Sequence, residues 1–470
     1  MTLRPSNRWF AQRYSASNAW NFNGTNGNLN NNSVGNQNLV QAVTNLPDGF
    51  LNVRNMNRKS LFAMCVYNYF RTRRNKRYGR DQMDFEADWV SRLLRFFYAI
   101  VYRTLRIDHN FAFLTSYPVW REIFASVFEG RMTDHMLCDP LIPYMEAMLS
   151  PRTYNNRTGK GTMAAVNQVI EDIYKVTDGY TRPARIIKWD IKGFFPSALW
   201  EIMQRCYDRV IDSNAVSISE AYGDEFPGLL HWLAMLCVNT SPTAHCELRT
   251  PPQMWHVHIK PEKSAFTKPP GVSAPIGRLV AQHAMGMYIN DDVKWLCEDC
   301  GIDTVVFVDD GVMVVPERLH AYALAKVGEL RERFALKGLR MNERKFYDQP
   351  YQNGLELLGS HIRPYRIHVN NKTYRRARER MVEINGISPD GRLAMIDSVI
   401  NSINSYFSLL KTRTDYRRLT ALRDMIDGGW WKYLEWDAAR LCVTARPQYS
   451  FRRRMDRKYG LRLRFKERRA

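Results

Sequence analysis

Three aspartates are the residues whose type and spacing point most directly to chemistry. Asp190 ends the apolar run RIIKWD, and Asp309 and Asp310 stand side by side in TVVFVDDGVMVV. Taken singly, an aspartate at a strand end or an Asp-Gly hairpin turn is a common structural feature. If the two strands are neighbours in one sheet, however, the carboxylates meet in one cleft, where their mutual repulsion requires a cation.

Carboxylates alone, without thiol or imidazole ligands, favour Mg²⁺. Two such ions roughly 3.5–4 Å apart would activate a primer 3′-hydroxyl and stabilise the leaving pyrophosphate in an in-line displacement. Mn²⁺ is a possible substitute. This chemistry needs no side-chain nucleophile, and the sequence contains no nucleophile elbow or Cys/His arrangement. Asp190, Asp309 and Asp310 are therefore the predicted catalytic residues and metal ligands.

The elements that must position these residues follow from the pattern of apolar residues. Strands are predicted for RIIKWDI and for both halves of TVVFVDDGVMVV, with Asp310-Gly311 as the hairpin turn. Helices are predicted for SALWEIMQRCYDRVI, RLVAQHAMGMYINDDVKWL and HAYALAKVGELRERFA. This mixed order, with a tight hairpin in it, predicts an α+β fold with an antiparallel sheet.

The order of motifs over about residues 115–365 resembles the fingers and palm of reverse transcriptases. WREIFA resembles the fingers motif whose arginine meets the phosphates of the incoming nucleotide, here Arg121. NRTGKGT is similar to the next fingers motif, and Arg157 and Lys160 are its expected template or primer contacts. The resemblance implies a right-hand polymerase with fingers, a palm and a helical thumb.

DIKGFFPS resembles motif A of the same family. By that resemblance the backbone carbonyl of Ile191 is a further metal ligand, and Phe195 is the gate beneath the sugar. An aromatic ring packed where a 2′-hydroxyl would sit selects dNTPs over ribonucleotides. FVDD is similar to the family's YxDD box, with Phe307 in place of tyrosine and both aspartates retained.

PEKSAFTKPPGVSAPIGRLVAQ resembles motif B, which supports the templating base and the incoming nucleotide, but it departs from the common pattern. Most of the family has Gln-Gly and then Ser-Pro, whereas this chain has Ile276-Gly277 and then Ala281-Gln282. The aliphatic residue and the final Gln resemble the enzymes of diversity-generating retroelements, although Ala281 replaces the expected serine. Those enzymes copy a template RNA into cDNA mutated chiefly at adenines. Loss of a hydrogen-bonding amide near the base pair would relax selectivity.

The remaining motifs lie toward the C-terminal end. GLRMNERK resembles motif D, which implies that Lys345 donates a proton to pyrophosphate or contacts a phosphate. LELLGSHIRP resembles motif E, the primer grip, with Leu358 and Gly359 at its core. SVINSINSYFSLL is similar to a thumb helix that follows the template-primer duplex.

Charge and composition agree with a nucleic-acid partner. The chain has 470 residues, a formal net charge of +21 and a pI near 9.7, which favours binding to a polyanion. No apolar run of 18 or more residues occurs, so no membrane partner is expected. We expect a cytoplasmic protein of a bacterial or phage-borne element. The resemblance implies template RNA, the cDNA/RNA duplex, dNTPs and a small basic accessory protein oligomer as partners.

Composition also predicts the domain order. Residues 1–50 form an Asn-rich extension, 51–185 basic helices and fingers, 186–365 a palm with part of the fingers, 366–450 a helical thumb, and 451–470 a basic tail. Two alternatives remain open beside the diversity-generating enzyme. One is a phage-defence or group II intron-like reverse transcriptase, and the other is an inactive RNA-binding protein on the same fold.

Overall fold

The computed structural model describes residues 58–74, 79–107, 109–116 and 119–450. The predictions for the Asn-rich extension and the basic tail lie outside these residues. The α-helices are α1 Arg58–Arg73, α2 Arg80–Glu86, α3 Trp89–Val101, α4 Phe128–Met148, α5 Thr162–Val176, α6 Phe194–Ser197, α7 Trp200–Ser213, α8 Ala215–Tyr222, α9 Phe226–Val238, α10 Pro252–His258, α11 Leu279–Tyr288, α12 Asn290–Lys294, α13 His320–Leu336, α14 Asn371–Asn385, α15 Pro389–Thr412 and α16 Tyr416–Asp424.

The strands form four small sheets within the described residues. They are β1 Asn110–Thr115, β2 Arg121–Ser126, β3 Ala184–Asp190, β4 Cys246–Leu248, β5 Thr304–Phe307, β6 Asp310–Pro316, β7 Tyr347–Pro350, β8 Leu355–Leu357, β9 Ser360–Arg363, β10 Arg366–Val369, β11 Leu434–Asp437 and β12 Cys442–Ala445. The sheet orders are β2-β1-β4, β5-β6-β3-β7, β10-β9-β8 and β11-β12. The predicted α+β fold class is confirmed.

The described chain divides into two compact units. One contains the described residues up to Gly161 with Lys188–Val312 and Ala321–Phe346, and the other contains Thr162–Ile187, Met313–His320 and the described residues from Tyr347. Strands β3 and β6 each contribute residues to both units. The predicted boundaries at residues 185, 365 and 450 assume continuous domains, whereas these units interleave along the chain. Those boundaries stay predictions.

The three strands that the sequence predicts, β3, β5 and β6, form as expected because their apolar runs are buried. β6 is buried at every position from Gly311 to Val315. One predicted helix is interrupted: the stretch RLVAQHAMGMYINDDVKWL forms α11 and α12 with a break at Ile289. The reason is Asn290, only 2% exposed, whose side chain accepts from the amide of Ser150 at 2.7 Å and donates to the carbonyl of Met148 at 3.0 Å. It thereby satisfies the end of α4.

The second unit contains the predicted helical thumb segment, but this segment also holds an unpredicted hairpin. Helices α14, α15 and α16 pack around a core that includes Phe407 and Trp430, and the antiparallel pair β11-β12 closes it. Asn404 of α15 exchanges two hydrogen bonds of 2.8 Å with the backbone of Val443 in β12. A helix side chain thus completes the pairing of a strand. In the part of the chain that the structure describes, no helix has the length and hydropathy to cross a bilayer.

Candidate active site

The structure brings the three predicted aspartates together at adjoining ends of two neighbouring strands. β3 ends at Asp190 and β6 begins at Asp310, with Asp309 in the turn before it. The amide of Ile191 donates to the carbonyl oxygen of Asp309 at 2.9 Å. This bond ties the two segments together beside the carboxylates, all within the first unit. The metal-binding role of the Ile191 carbonyl stays a prediction.

The hairpin turn differs from the predicted one. The sequence predicts the turn at Asp310-Gly311, which is wrong, because Val308 and Asp309 make the turn and Asp310 already belongs to β6. Val308 has a φ of 60°, an unusual conformation for a β-branched residue. Its amide donates to the side-chain oxygen of Asn155 at 3.1 Å, which holds the turn in place.

Glycine at position 311 is needed for packing and not for the turn. A Cβ atom built on Gly311 would lie 2.1 Å from ring carbons of Trp189, far inside van der Waals contact. Trp189 is fully buried in β3 and makes an edge contact with Phe334 of α13 at a ring-centroid distance of 5.5 Å. The indole therefore fills the space beneath the β5-β6 hairpin and fixes the position of the hairpin above the core.

Asp190 is held by two residues from the segment that follows α13. The amide of Asn342 donates to the backbone carbonyl of Asp190, and the Asn342 side chain donates to Oδ1, both at 2.8 Å. Lys345 Nζ lies 2.6 Å from Oδ2. Asp190 itself is 2% exposed, and each of its two carboxylate oxygens has one donor. Lys345 was a predicted site residue. Asn342 was not, and its only sequence signal is its place three residues before that lysine.

The charges of the site are only partly balanced. Lys188 Nζ lies 3.3 Å from Asp310 Oδ1, and Lys345 pairs with Asp190. Burial, and then the negative charges of Asp310 and Asp190, raise the pKa of Asp309 from 3.8 to about 6. Burial opposes the charge of Lys345, but its hydrogen bond to Asp190 and the three carboxylates outweigh this and raise its pKa. The cluster therefore still favours an added positive charge.

The donor set fits Mg²⁺ by its chemistry, since it consists of carboxylate oxygens beside backbone carbonyls. Among the described residues, no three His, Cys, Asp or Glu side chains are arranged as a ready cage for a metal. The lysine pairs account for this, because they draw Asp190 and Asp310 toward ammonium groups. Metal binding by Asp190, Asp309 and Asp310 stays a prediction, and it requires the exchange of at least the Lys345 contact.

The predicted gate residue is joined to motif B. Phe195 lies in the short helix α6, which follows Gly193 in the left-handed conformation at φ 60°. The carbonyl of Phe195 accepts a hydrogen bond of 2.8 Å from the amide of Ala274. Its ring is half-buried, beside the buried ring of Phe194. The structure therefore fixes the gate residue against the loop that precedes Ile276.

The predicted nucleotide-binding residues of the fingers and motif B meet in the first unit. Arg121 begins β2 and is exposed. Further along that strand, the amide of Phe124 donates to the carbonyl of Ile276 at 2.9 Å. Gly277 has a φ of 115°, and a Cβ there would lie 2.8 Å from the Phe124 carbonyl oxygen. Only glycine fits this position without a shift of the backbone.

Gln282 lies in the first turn of α11 and is half-buried. Its carbonyl faces the side-chain amide of Asn156 at 3.4 Å. Contacts of Ile276, Gly277 and Gln282 with a nucleotide stay predictions.

The two predicted template contacts of the fingers are engaged within the protein. Arg157 bonds to Glu146 at 2.8 Å and to the carbonyl of Ser150 at 2.7 Å. Lys160 bonds to the carbonyl of Pro151, and burial, and then the nearby Arg157, lower its pKa. Template contacts by Arg157 and Lys160 stay predictions, and they would require these bonds to be exchanged.

Leu358 and Gly359 belong to the second unit, in the turn between β8 and β9. Both have left-handed backbone conformations, with φ of 48° and 79°. The carbonyl of Leu358 accepts from buried Arg413 at 3.0 Å, and the same guanidinium donates to Ser360 at 2.6 Å. Arg413 follows α15, so the turn between β8 and β9 is tied to the end of that helix. Primer contact by this turn stays a prediction.

Comparison with known proteins adds resemblance at the level of fold only. No family model and no curated protein matches the chain. A solved telomerase of Candida tropicalis lacking its C-terminal domain is 11% identical, with a TM-score of 0.40 over 56% of this chain and 55% of that one. A telomerase of Candida albicans with a fragment of telomeric RNA is 8% identical, with a TM-score of 0.39 over 70% and 57%.

The apo telomerase of Candida tropicalis is 12% identical, with a TM-score of 0.38 over 68% of this chain and 62% of that one. The chain thus spans between 55% and 62% of the length of these structures. Similarity at this level does not establish a shared activity.

Proposed function

We propose that this chain is an RNA-directed DNA polymerase that copies a template RNA into cDNA by two-metal phosphoryl transfer. The observation that carries the proposal is the convergence of Asp190, Asp309 and Asp310 at two paired strand ends, joined by the Ile191–Asp309 hydrogen bond of 2.9 Å. The raised pKa of Asp309 supports it, because the cluster holds more negative charge than its two lysines balance. Such a site suits divalent cations, which would stabilise the negative charge that develops during phosphoryl transfer.

The roles of the residues follow from this arrangement. The three aspartates would hold two Mg²⁺ ions, with Mn²⁺ as a substitute, and these ions would polarise the primer hydroxyl and the leaving pyrophosphate. Asn342 orients Asp190 by bonding Oδ1, which leaves Oδ2 as the exchangeable oxygen. The ammonium of Lys345, on a 59% exposed side chain, can leave Asp190 and supply a proton to pyrophosphate.

Substrate choice rests on the residues around this cluster. The ring of Phe195, fixed by its backbone bond to Ala274, would exclude a 2′-hydroxyl and so favour dNTPs. Arg121 on β2 would bind the nucleotide phosphates, since an exposed guanidinium offers paired donors to phosphate oxygens.

Within the reverse transcriptases, we infer an error-prone enzyme of a diversity-generating retroelement, active with a small basic accessory protein. The support is the aliphatic Ile276 and the terminal Gln282 of motif B. The carbonyl of Ile276 bonds to Phe124 on the strand of Arg121, and this link to the predicted nucleotide-binding arginine supports the inference. A phage-defence or group II intron-like enzyme would share the catalytic cluster and differ in fidelity.

Primer extension tests the polymerase assignment. Purified protein with Mg²⁺ and dNTPs should extend a DNA primer on an RNA template. Asp309→Ala should abolish the product, and Asp84→Asn, which removes an exposed carboxylate on α2, should leave it unchanged. Extension that survives the Asp309 substitution would disprove the site, and absence of extension by the wild-type protein would favour the inactive RNA-binding alternative.

Sequencing the cDNA tests the subfamily. With the accessory protein present, misincorporation should concentrate opposite template adenines. Equal accuracy at all four bases would instead assign the chain to the phage-defence or intron-like group while leaving the polymerase proposal intact.

A further inference from the structure

Residues 246–268 extend and cover the predicted fingers sheet of the first unit, whose strand order is β2-β1-β4. β4 extends that sheet by pairing parallel to β1, with Asn110 opposite Cys246. From the following segment, Trp255 and Ile259 pack against Phe124 in a small apolar core. The segment therefore belongs to the rigid part of the fingers and does not hang from it as a loose loop.

A buried carboxylate fixes this layer to the strand of Arg121. Glu122, 6% exposed, accepts hydrogen bonds from the indole of Trp255 and the hydroxyl of Ser264, both at 2.8 Å, and from the amide of Ala265 at 2.7 Å. Three donors on one carboxylate satisfy its buried charge. The exposed side chains of residues 256–264 are thus held in a fixed position relative to β2.

The surface so fixed carries an uncovered aromatic pair. The rings of Trp120 and His258 stack at 3.7 Å between centroids with an interplanar angle of 10°. Trp120 remains 39% exposed, and neighbouring Val257 and Phe266 are 74% and 42% exposed. Large aromatic and aliphatic surface left in water on a rigid support indicates a binding site.

The exposed charges of Arg121 and of residues 246–268 select among possible partners. Four exposed basic residues outnumber two exposed acidic ones, and they are Arg121, Arg249, Lys260 and Lys263 against Glu247 and Glu262. Aromatic rings among lysines and arginines fit an unpaired nucleic-acid strand, whose bases stack while its phosphates meet the cations. A duplex hides its base faces, so it offers this ring pair nothing to stack on.

We propose that this surface is a platform for single-stranded template RNA, with an unpaired base stacking on the Trp120–His258 pair. The identity of the strand as template rests on the proposed polymerase function, but its binding does not. Because Trp120 directly precedes Arg121, the platform places the unpaired strand next to the predicted nucleotide-binding arginine.

Binding of two labelled primer-template duplexes, measured by fluorescence anisotropy without Mg²⁺ or dNTPs, tests the platform. One duplex is blunt, and the other has a 5′ RNA overhang of about six nucleotides. Trp120→Ala should weaken binding of the overhang substrate roughly 5- to 150-fold, the range for loss of one base stack, and leave binding of the blunt duplex unchanged. Trp120→Phe should restore most of the affinity. Tyr322→Ala, which removes a 41% exposed ring on α13, is the matched control.

Equal affinity of Trp120→Ala and wild type for the overhang substrate would overturn the platform. This is the result expected if the surface serves a protein partner instead. An equal loss for both substrates would overturn it as well. This binding assay and the primer-extension assay, both performed on the wild type, separate the two proposals. Overhang preference without polymerase activity in the wild type would reject only the proposed function, and activity without overhang preference would reject only the platform.

Discussion

Replacing Asp309 by asparagine is expected to stabilise the metal-free protein while abolishing the proposed polymerase activity. In the folded chain the pKa of this carboxyl is raised from 3.8 to about 6 by burial and by its two aspartate neighbours. As pH rises between these values, the unfolded chain releases a proton that the folded chain keeps. The free energy of unfolding therefore falls with rising pH through this window and stays lower above it.

The size of the effect follows from the same two values. At about 1.4 kcal/mol for each pH unit, the difference between 3.8 and about 6 corresponds to roughly 3 kcal/mol. Because Asp309 keeps part of its surface in water, solvent screening reduces this figure, and we expect a gain of about 1–3 kcal/mol for the neutral amide. The gain should be largest above pH 6 and should shrink toward pH 4.

Urea unfolding with a chelator present, at about pH 8 and about pH 4.5, measures the prediction. Asp309→Asn should unfold at higher urea than wild type at the higher pH and nearly together with it at the lower. Asp84→Asn is the control and should behave as wild type at both. Added Mg²⁺ should stabilise wild type more than Asp309→Asn. An Asp309→Asn protein no more stable than wild type at pH 8 would show that burial and the neighbouring carboxylates do not raise the pKa of Asp309.

Three further substitutions test the parts of the site separately. Asn342→Ala removes a hydrogen bond to a charged carboxylate, worth about 1.5–3 kcal/mol, and should raise the Mg²⁺ concentration for half-maximal extension roughly tenfold or more. An unchanged Mg²⁺ requirement would mean that Asn342 does not orient Asp190. The Cβ atom of Gly311→Ala would lie 2.1 Å from Trp189, so this variant should lower the free energy of unfolding by about 1–3 kcal/mol or more. Gly328→Ala is its control and should not lower it, because nothing lies within 4 Å of a Cβ atom built there. Phe195→Ala should increase ribonucleotide incorporation relative to dNTPs in primer extension, and unchanged sugar selection would remove Phe195 as the gate.

The convergence of the aspartates could be predicted from sequence because short buried strands appear as apolar runs. β3 and β6 are apolar runs that end or begin at an aspartate, and a carboxylate in such a place can face the end of the neighbouring strand. The position of the turn could not be predicted in the same way. Gly311 has two possible reasons to be glycine, a turn or a close neighbour, and only the fold shows that Trp189 is that neighbour.

Asn342 was beyond prediction because its role depends on a contact across 152 positions of sequence. The letters MNER show neither the backbone bond nor the side-chain bond to Asp190. The same holds for Asn290 and Asn404, whose side chains satisfy backbone groups of distant elements. Apolar periodicity reports which face of an element is buried, and it carries no record of a polar side chain that replaces a missing backbone partner.

The contact between Gly311 and Trp189 also constrains how this protein can change during evolution. An alanine at 311 collides with the indole if it arises first, and a smaller residue at 189 leaves a cavity that costs about 3–5 kcal/mol if it arises first. Each single step passes through a less stable protein, so the two positions are expected to vary together or not at all. In a collection of related chains, a small residue at 189 should accompany any side chain larger than glycine at 311.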